Sequence, residues 1–326
     1  MHPPRLVLLV VSCALVAGCG SEEARAPAPA TATAEPAVVD LALDFTPNAV
    51  HAPIYAAAEQ GLDRKNGVRL RIRKPGGGPD ALKLVTSGKV AIGVLDIHDL
   101  AIARERGADL VGVGALVTKP LAALIAQPGV RRPRDLEGRT VGVSGLASDP
   151  AFVKAIVEDD GGDVSKIRQV TIGFAAVAQL VSKRVDAVPA FWNAEGVALR
   201  REGVKSREFR VEDFGAPPYP EVVVFTSRST LNERRADVEG ALRALADGVR
   251  AVRAEPARVI EAIAKAANTR DLALIRAQLE AVDPLFGDTL ALDRPILEQW
   301  ADFDERIGLT KERVDVDQAF DFTLTG

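Results

Sequence analysis

Short apolar segments alternate with helix-like segments along most of this 326-residue chain, and this alternation constrains its fold more than any other feature. Strand patterns occupy residues 38–43, 68–73, 90–95 and 110–117, and helical patterns lie between them at 52–60, 80–87 and 100–106. Parallel strands need crossover connections, which are usually helices. The alternation therefore predicts an α/β fold with a mainly parallel sheet and helices on its faces.

The second half of the chain repeats the pattern, with a strand at 139–143, a loop at 144–150 and a helix at 151–159. Residues 84–94 and 180–189 echo each other, because each segment reads as a helix end, a basic turn and an apolar strand. Two explanations stay open: a structural duplication, or a helix-to-strand junction of a common kind. Farther on, 222–226 predicts a strand returning to the first half, and 237–253, 256–267 and 269–282 have helical spacing.

The length of the chain predicts two lobes, because a single core seldom grows to this size. We assign residues 38–126 and 223–326 to a discontinuous first lobe and residues 127–222 to a second lobe. Each lobe is expected to hold one mainly parallel sheet, with a ligand cleft between them.

The N-terminus has the layout of a signal peptide in residues 1–18, with Arg5 before an apolar run and small residues before Cys19. The run is shorter than the ~20 residues that span a bilayer. Residues 15–19 resemble the bacterial lipobox, in which the cysteine becomes the lipidated first residue, and residues 19–37 have the composition of a flexible tether. The alternative is an ordinary signal peptide in which Cys19 is incidental.

Composition excludes several functions. The net charge is −4 and both signs are mixed along the chain, so nothing predicts a nucleic-acid partner. The two cysteines, Cys13 and Cys19, both precede the predicted folded part, which therefore has no thiol for a disulfide or for catalysis. No ligand-spaced metal motif, nucleophile elbow or phosphate-binding loop motif is present, so we expect no metal, no cofactor and no catalytic residue.

The candidate binding residues lie in the loops that follow the predicted strands, because open α/β sheets bind ligands outside the carboxyl ends of their strands. His51 and His98 are the histidines beyond the leader, and each follows a strand end, although a core or surface position is the ordinary alternative for either. The predicted ligand-binding residues are Asp44, Phe45, Asn48, His51, Tyr55, Gly77, Gly78, Asp96, His98, Ser148, Trp192, Asn193, Glu195 and Tyr219.

Aromatic residues make up only 5% of the chain, yet several fall in or beside these loops, which suits a flat heteroaromatic ligand. Trp192 is predicted to stack on the ligand, and the alternative is that the rings fill the core between the lobes. Gly77 and Gly78 are expected to offer backbone amides to a carboxylate or phosphate.

Residues 43–55 resemble the opening motif of the thiamine-pyrimidine synthase family and its related binding proteins. Residues 61–68, 87–93 and 135–143 follow the pattern of the wider nitrate-, sulfonate- and taurine-binding group. The resemblance implies a type 2 periplasmic-binding fold, whose two lobes close on a small solute and deliver it to the permease of an ABC importer. It also implies a monomer outside the cytoplasm, tethered to the membrane by lipid on Cys19.

Residues 192–197 are similar to the segment through which pyrimidine-binding members reach their ligand, and His51 matches a histidine of the family. The synthases of the family carry a cysteine-rich iron-binding motif, whereas residues 220–225 contain no cysteine. This departure favours a binding protein over an enzyme. For the ligand, a thiamine pyrimidine precursor is the first expectation, riboflavin the second, and a sulfonate, nitrate or taurine the third. Two other classes of protein stay open: an exported enzyme, and a sensor or adaptor domain.

Overall fold

Strands form where the chain is continuously apolar, because a central strand of an α/β sheet is buried on both faces. All five residues of one such strand, Ala122–Ala126, are buried. The computed structural model describes residues 35–76 and 80–325. The predicted leader, Cys19, Gly77 and Gly78 lie outside these residues, and so does the predicted tether up to residue 34.

The described residues form ten strands in two sheets. The strands are β1 (Ala37–Ala42), β2 (Val68–Arg73), β3 (Ile92–Asp96), β4 (Leu110–Val117), β5 (Ala122–Ala126), β6 (Thr140–Val143), β7 (Arg168–Thr171), β8 (Ala187–Phe191), β9 (Arg207–Arg210) and β10 (Val222–Ser227).

Helices connect the strands and cover both sheets. They are α1 (Ala52–Glu59), α2 (Leu62–Lys65), α3 (Asp80–Thr86), α4 (Ile97–Glu105), α5 (Asp149–Asp159), α6 (Ala176–Val181), α7 (Val197–Arg201), α8 (Arg228–Glu233), α9 (Arg235–Ala254), α10 (Pro256–Ala266), α11 (Leu272–Val282), α12 (Arg294–Arg306) and α13 (Val316–Ala319). None of the helices in the described part of the chain has both the length and the apolar character needed to cross a bilayer.

The two sheets have the same strand order. The first runs β2-β1-β3-β10-β4 and the second runs β7-β6-β8-β5-β9. In each sheet four strands are parallel and one is reversed, β10 in the first and β5 in the second. The echoed segments lead into β3 and β8, which occupy equivalent places in the two sheets. Of the two explanations for the echo, the shared topology favours duplication.

The chain crosses between the sheets twice. The first crossing joins β4 to β5 and the second leads into β10, so each reversed strand is the one that enters a sheet from the other lobe. The sequence-based boundary at residue 126 is wrong by one strand, because β5 pairs with β8 and β9 of the second sheet. An apolar strand carries no sequence signal for which sheet it joins. β10 pairs in the first sheet from Val222 onward, so the second boundary, placed at 222/223, falls one residue inside this strand.

Helix starts also differ from the sequence-based reading. The segment from Asp96 to Asp99, expected to be a loop, contains the first turn of α4, with the Asp96 side chain accepting the N–H of His98 at 2.8 Å. Likewise α5 begins at Asp149 rather than at residue 151. Both differences bring helix N-termini, with their unpaired N–H groups, to the carboxyl ends of the strands.

Candidate ligand-binding cleft

A cavity of about 310 Å³ lies between the two sheets, at the carboxyl ends of their parallel strands. The first lobe lines it with the segments that follow β1 and β3, and the second lobe with those that follow β6, β7 and β8. This is the position at which open α/β sheets bind ligands. The cavity therefore defines the candidate site.

The segment after β1 forms a capped turn that holds His51 in place. Asn48 caps a 3₁₀ turn by accepting the N–H of Val50 at 2.8 Å. The Asn48 N–H donates to His51 Nδ1 at 3.2 Å, and His51 Nε2 lies 2.8 Å from Asp44 Oδ1. Because Nδ1 accepts, Nε2 carries the ring proton and donates it to Asp44. Both ring nitrogens are used within the loop, and the imidazole orients Asp44 at the cavity wall.

The segment after β3 presents two carboxyl groups and one imidazole. Asp96 is half-buried, whereas His98 and Asp99 are buried in the first turn of α4. Burial raises the pKa of Asp96 well above its usual range, with His98 acting against that shift. Burial also raises the pKa of Asp99 to about 6, and the nearby carboxyl of Asp149 adds to the rise.

His98 joins the cavity to a buried polar cluster behind it. Its Nδ1 lies 2.7 Å from Oδ1 of Asp304, a side chain that is 0% exposed. A carboxylate only accepts, so Nδ1 is the donor, and the indole nitrogen of Trp300, 3.2 Å from the same atom, is a packing neighbour. Burial alone lowers the pKa of His98, but the attraction of the nearby carboxyl groups, Asp304 first and then Asp96 and Asp99, together outweighs it and raises the pKa to about 9. The imidazole is therefore cationic at neutral pH.

The second lobe contributes the start of α5. Asp149 accepts hydrogen bonds from the Ser144 hydroxyl at 2.8 Å and from the Gly145 N–H at 2.9 Å, which closes the loop after β6. The N–H of Ser148 donates to Asp99 Oδ1 across the cleft at 3.2 Å. This hydrogen bond joins the two lobes beside the cavity.

A π-helical turn, Trp192–Gly196, follows β8 and carries Glu195 to the cavity. Such turns are rare and occur frequently at functional sites. Glu195 Oε2 accepts the N–H of Phe191 at 3.1 Å, which folds the carboxyl back over its own turn. Burial raises the pKa of Glu195.

Two aromatic rings meet across the cleft. Phe45, after β1, and Phe174, after β7, have ring centroids 3.9 Å apart. Phe45 lines the cavity, and Phe191 lies on its opposite wall. The cavity thus offers apolar ring surface beside carboxyl acceptors.

The structure brings most of the predicted binding residues together. Eight of them line the cavity: Asp44, Phe45, Asn48, His51, Asp96, His98, Ser148 and Glu195. Four others lie elsewhere in the described part of the chain: Tyr55, Trp192, Asn193 and Tyr219. Gly77 and Gly78 fall in the short gap between the described ranges.

Trp192 does not line the cavity, contrary to the expectation that it stacks on the ligand. Its backbone N–H donates to the Leu121 carbonyl at 3.0 Å, and its indole N–H donates to the Pro120 carbonyl at 3.3 Å. The Arg210 guanidinium covers the ring at 4.1 Å from its centroid. The π-helical turn directs Glu195 to the cavity and Trp192 onto the first chain crossing, so we no longer propose Trp192 as a ligand contact.

The other three residues outside the cavity wall are buried. Tyr55 packs in the core of the first lobe on α1, and Tyr219 lies edge-on to His98 with ring centroids 4.6 Å apart. Asn193 is 0% exposed, and its amide has no hydrogen-bond partner among the described residues. Tyr219 and Asn193 therefore lie behind the wall rather than on it.

Sequence reasoning missed Asp99 and Asp149 as site residues. Asp149 precedes Pro150 at the start of a helix, which is a recognisable signal for a helix N-terminus after a strand-end loop. Asp99 was not recognised as a residue at a helix start, because the whole segment from Asp96 to Asp99 was predicted to be a loop.

The polar lining is mainly acidic. Five carboxyl groups belong to the wall, those of Asp44, Asp96, Asp99, Asp149 and Glu195. The basic side chains of the wall besides histidine, Lys83 and Arg106, are both exposed. No cluster of three or more His, Cys, Asp or Glu residues suited to a metal ion occurs in residues 35–76 and 80–325.

Residues 48–259, more than half of the chain, match the family model described as NMT1/THI5 like. The chain belongs to the NMT1/THI5-like family. This confirms the resemblance predicted from residues 43–55.

Relatives of this NMT1/THI5-like chain carry several names. A formylaminopyrimidine-binding protein of Halalkalibacterium halodurans is 32% identical over 198 residues, which cover 60% of this chain and 60% of that protein. A 4-amino-5-hydroxymethyl-2-methylpyrimidine phosphate synthase of Legionella pneumophila is 25% identical over 87% of this chain and 89% of its own. The riboflavin-binding protein RibY of Chloroflexus aurantiacus is 26% identical over 97% of this chain and 94% of its own.

A solved structure supports the fold. The alkanesulfonate-binding protein SsuA from Xanthomonas axonopodis pv. citri superposes with a TM-score of 0.70 at 19% identity, covering 88% of this chain and 99% of that one. The predicted periplasmic-binding-protein fold is confirmed.

Proposed function

We propose that this chain is the extracytoplasmic substrate-binding lipoprotein of an ABC importer, and that it captures a thiamine pyrimidine precursor by lobe closure. The observation that carries the proposal is the cavity between the lobes, whose wall combines the Phe45 and Phe191 rings with five carboxyl groups. An aminopyrimidine fits such a wall, because its ring stacks on aromatic side chains and its N–H groups donate to carboxyl acceptors.

The charge of the wall argues against an anionic solute. A sulfonate or nitrate binds through arginine side chains or clustered backbone N–H groups. The wall instead has buried carboxyl groups, and its lysine and arginine are exposed.

The size of the cavity favours a single-ring ligand over riboflavin. About 310 Å³ lies at the low end of the ~300–1,000 Å³ usual for ligand pockets. Riboflavin is the second candidate ligand, because one relative is named a riboflavin-binding protein.

Binding without turnover is the proposed activity. The described residues contain no cysteine, whereas the resemblance places a cysteine-rich iron site in the synthases. Polar groups of the wall also form hydrogen bonds to one another, as His51 does with Asp44 and Ser144 with Asp149. We propose a monomer that releases its ligand unchanged to the permease.

Thermal-shift and calorimetric titration of the chain from Ser21 onward test the ligand. We expect formylaminopyrimidine or hydroxymethylpyrimidine to raise the melting temperature, whereas riboflavin and taurine leave it unchanged. Chromatography of the recovered ligand checks that it is chemically unaltered. Stabilisation by taurine alone would contradict the proposed ligand class, and conversion of the pyrimidine would contradict a binding protein.

A further inference from the structure

Asp99 and Ser148 face each other across the cleft, the first in the first turn of α4 and the second at the N-terminal cap of α5. The Ser148 N–H donates to Asp99 Oδ1 at 3.2 Å. Both residues line the cavity, and both are buried, with 8% of Asp99 and 6% of Ser148 exposed. This hydrogen bond therefore joins the two lobes within the wall of the candidate site itself.

Each partner depends on the opposite lobe for this hydrogen bond. The Ser148 side chain does not cap α5, and among the described residues the Ser148 N–H has no acceptor from its own lobe. Asp99 likewise accepts no hydrogen bond from its own lobe within residues 35–76 and 80–325. The carboxyl group of Asp99 thus serves as the cap of a helix in the other lobe.

Asp149, in the first turn of α5, acts against this contact. Its carboxyl group adds to the rise in the pKa of Asp99, because two like charges disfavour each other. Asp149 is held in place by the Ser144 hydroxyl at 2.8 Å and the Gly145 N–H at 2.9 Å. Since the charge of Asp99 meets a like charge across the cleft, the attractive part of the contact is the hydrogen bond.

The Ser148 N–H has different surroundings in a closed and in an open cleft. In the closed cleft it is buried and needs Asp99 as its acceptor, whereas in an open cleft water reaches it. A buried donor that is left without a partner costs the full desolvation free energy of that group. Loss of the Asp99 acceptor therefore destabilises the closed arrangement and leaves the open one unaffected.

We propose that Asp99 is a positioning residue for lobe closure: its carboxyl oxygen holds the N-terminus of α5 and thereby favours the closed cleft. Phe45 and Phe174 add an apolar contact between the same two lobes, with ring centroids 3.9 Å apart. The proposal rests on the proposed function in one respect, namely that the lobes close when the ligand binds.

The distance between two spin labels, one on each lobe, measures closure of the ligand-free chain. The chain from Ser21 onward contains no cysteine, so Lys89→Cys and Arg184→Cys give two defined labelling sites. Both residues are exposed and lie in the turns that precede β3 and β8, one in each lobe. Pulsed EPR then gives the distribution of distances between the lobes, from which the populations of closed and open molecules are obtained.

Asp99→Ala removes the acceptor, whereas Asp99→Asn keeps one in its side-chain carbonyl oxygen. We expect the ratio of open to closed molecules to rise by about tenfold in Asp99→Ala, because a buried N–H loses its partner. Asp99→Asn should stay as closed as the parent, since it also removes the repulsion from Asp149. Asp293→Ala is the matched control: Asp293 caps α12 by accepting the Ile296 N–H at 3.1 Å within the first lobe, so its loss should not open the cleft.

Ser148→Pro tests the same hydrogen bond from the opposite lobe. Proline has no N–H, and the Ser148 φ of −73° suits its ring. We expect this variant to open the cleft as Asp99→Ala does, and the double variant Asp99→Ala/Ser148→Pro to open it no further, because both changes remove one contact. Ser148→Pro also carries the test if Asp99→Ala does not fold.

An unchanged distance distribution in Asp99→Ala and Ser148→Pro would overturn the proposal. Equal opening in Asp99→Ala and either Asp99→Asn or Asp293→Ala would overturn it as well. Neither result depends on the identity of the ligand. Calorimetric titration with formylaminopyrimidine tests the proposed function separately: if this compound fails to bind, that function fails, and the distances between the lobes still decide the role of Asp99.

Discussion

The role of a single side chain in this cleft is decided by the groups that hold it. His51 is placed at the cavity by its sequence position, but both of its ring nitrogens are used within its own loop, by Asn48 and Asp44. Its contribution is therefore to orient Asp44. Trp192 shows the opposite outcome, because its neighbours Pro120 and Leu121 turn it toward the chain crossing. Residue type alone did not separate these two roles.

His98 should make stability depend on pH. Its pKa of about 9 in the folded protein lies above the ~6.5 of an unfolded histidine. A raised pKa stabilises the folded state fully below about pH 6.5, and that contribution disappears as pH rises through about 9. We expect urea denaturation to show a loss on the order of 3 kcal/mol in the free energy of unfolding between pH 6.5 and 9.5.

The variant His98→Gln removes the charge and should abolish this loss between pH 6.5 and 9.5. Carboxyl groups that do not face His98 contribute equally to both proteins and cancel in the difference. An unchanged pH dependence in the variant would show that the ion pair with Asp304 does not form.

Secondary-structure elements were predicted well where they are long and buried. The predicted bounds of β2 and β4 agree with the structure, and the return of β10 to the first sheet was expected from its sequence. The strands β5, β7 and β9 were not identified as strands. β7 and β9 are partly exposed and carry charged residues, so neither has a continuous apolar run, and β5 is rich in alanine, which is depleted in strands. The π-helical turn was also missed, since its geometry depends on how β8 enters α7.

The turn between β7 and α6 is expected to hold the lobes together through Phe174. This ring contacts Phe45 of the first lobe, and such aromatic pairs contribute roughly 0.5–1.5 kcal/mol beyond their buried area. We predict that Phe174→Ala weakens ligand affinity by about two- to tenfold, mainly through faster dissociation. Stopped-flow fluorescence, with Trp192 beside the chain crossing as the probe, measures both rate constants.

Phe209→Ala is the matched control for Phe174→Ala. Phe209 packs against Phe214 with ring centroids 6.3 Å apart, and both rings belong to the second lobe. This variant removes an aromatic pair but leaves the contact between Phe45 and Phe174 in place. If both variants change the dissociation rate equally, the effect is one of general stability rather than of closure.

The whole molecule is two lobes of the same topology that enclose a site at the ends of their parallel strands. Residues Pro36–Gly326 form one compact unit. The reversed strands β5 and β10 place both crossings at one end of the cleft, beside Glu221. We propose that the lipid on Cys19 holds this two-lobed protein beside the permease of its importer.

Cys19→Ser tests the proposed membrane anchor. Without the thiol no thioether to lipid can form, so the exported protein should move from the membrane fraction to the soluble extracytoplasmic fraction. Cell fractionation with immunoblotting measures this, and Cys13→Ser, within the predicted leader, serves as the control that should leave the protein in the membrane fraction. Membrane retention of the Cys19→Ser protein would contradict lipidation at this residue.

The sequence by itself determined the α/β class, the presence of two lobes and the loops that line the cleft, because apolar periodicity and strand-end position are local properties of the chain. Eight of the fourteen predicted site residues line the cavity for that reason. Only the tertiary structure assigned β5 to the second sheet, turned Trp192 away from the cavity, and brought Asp99 to Ser148 and Glu221 to Leu121. These pairs are far apart in the sequence, and their contacts depend on how the two sheets and the two chain crossings pack together.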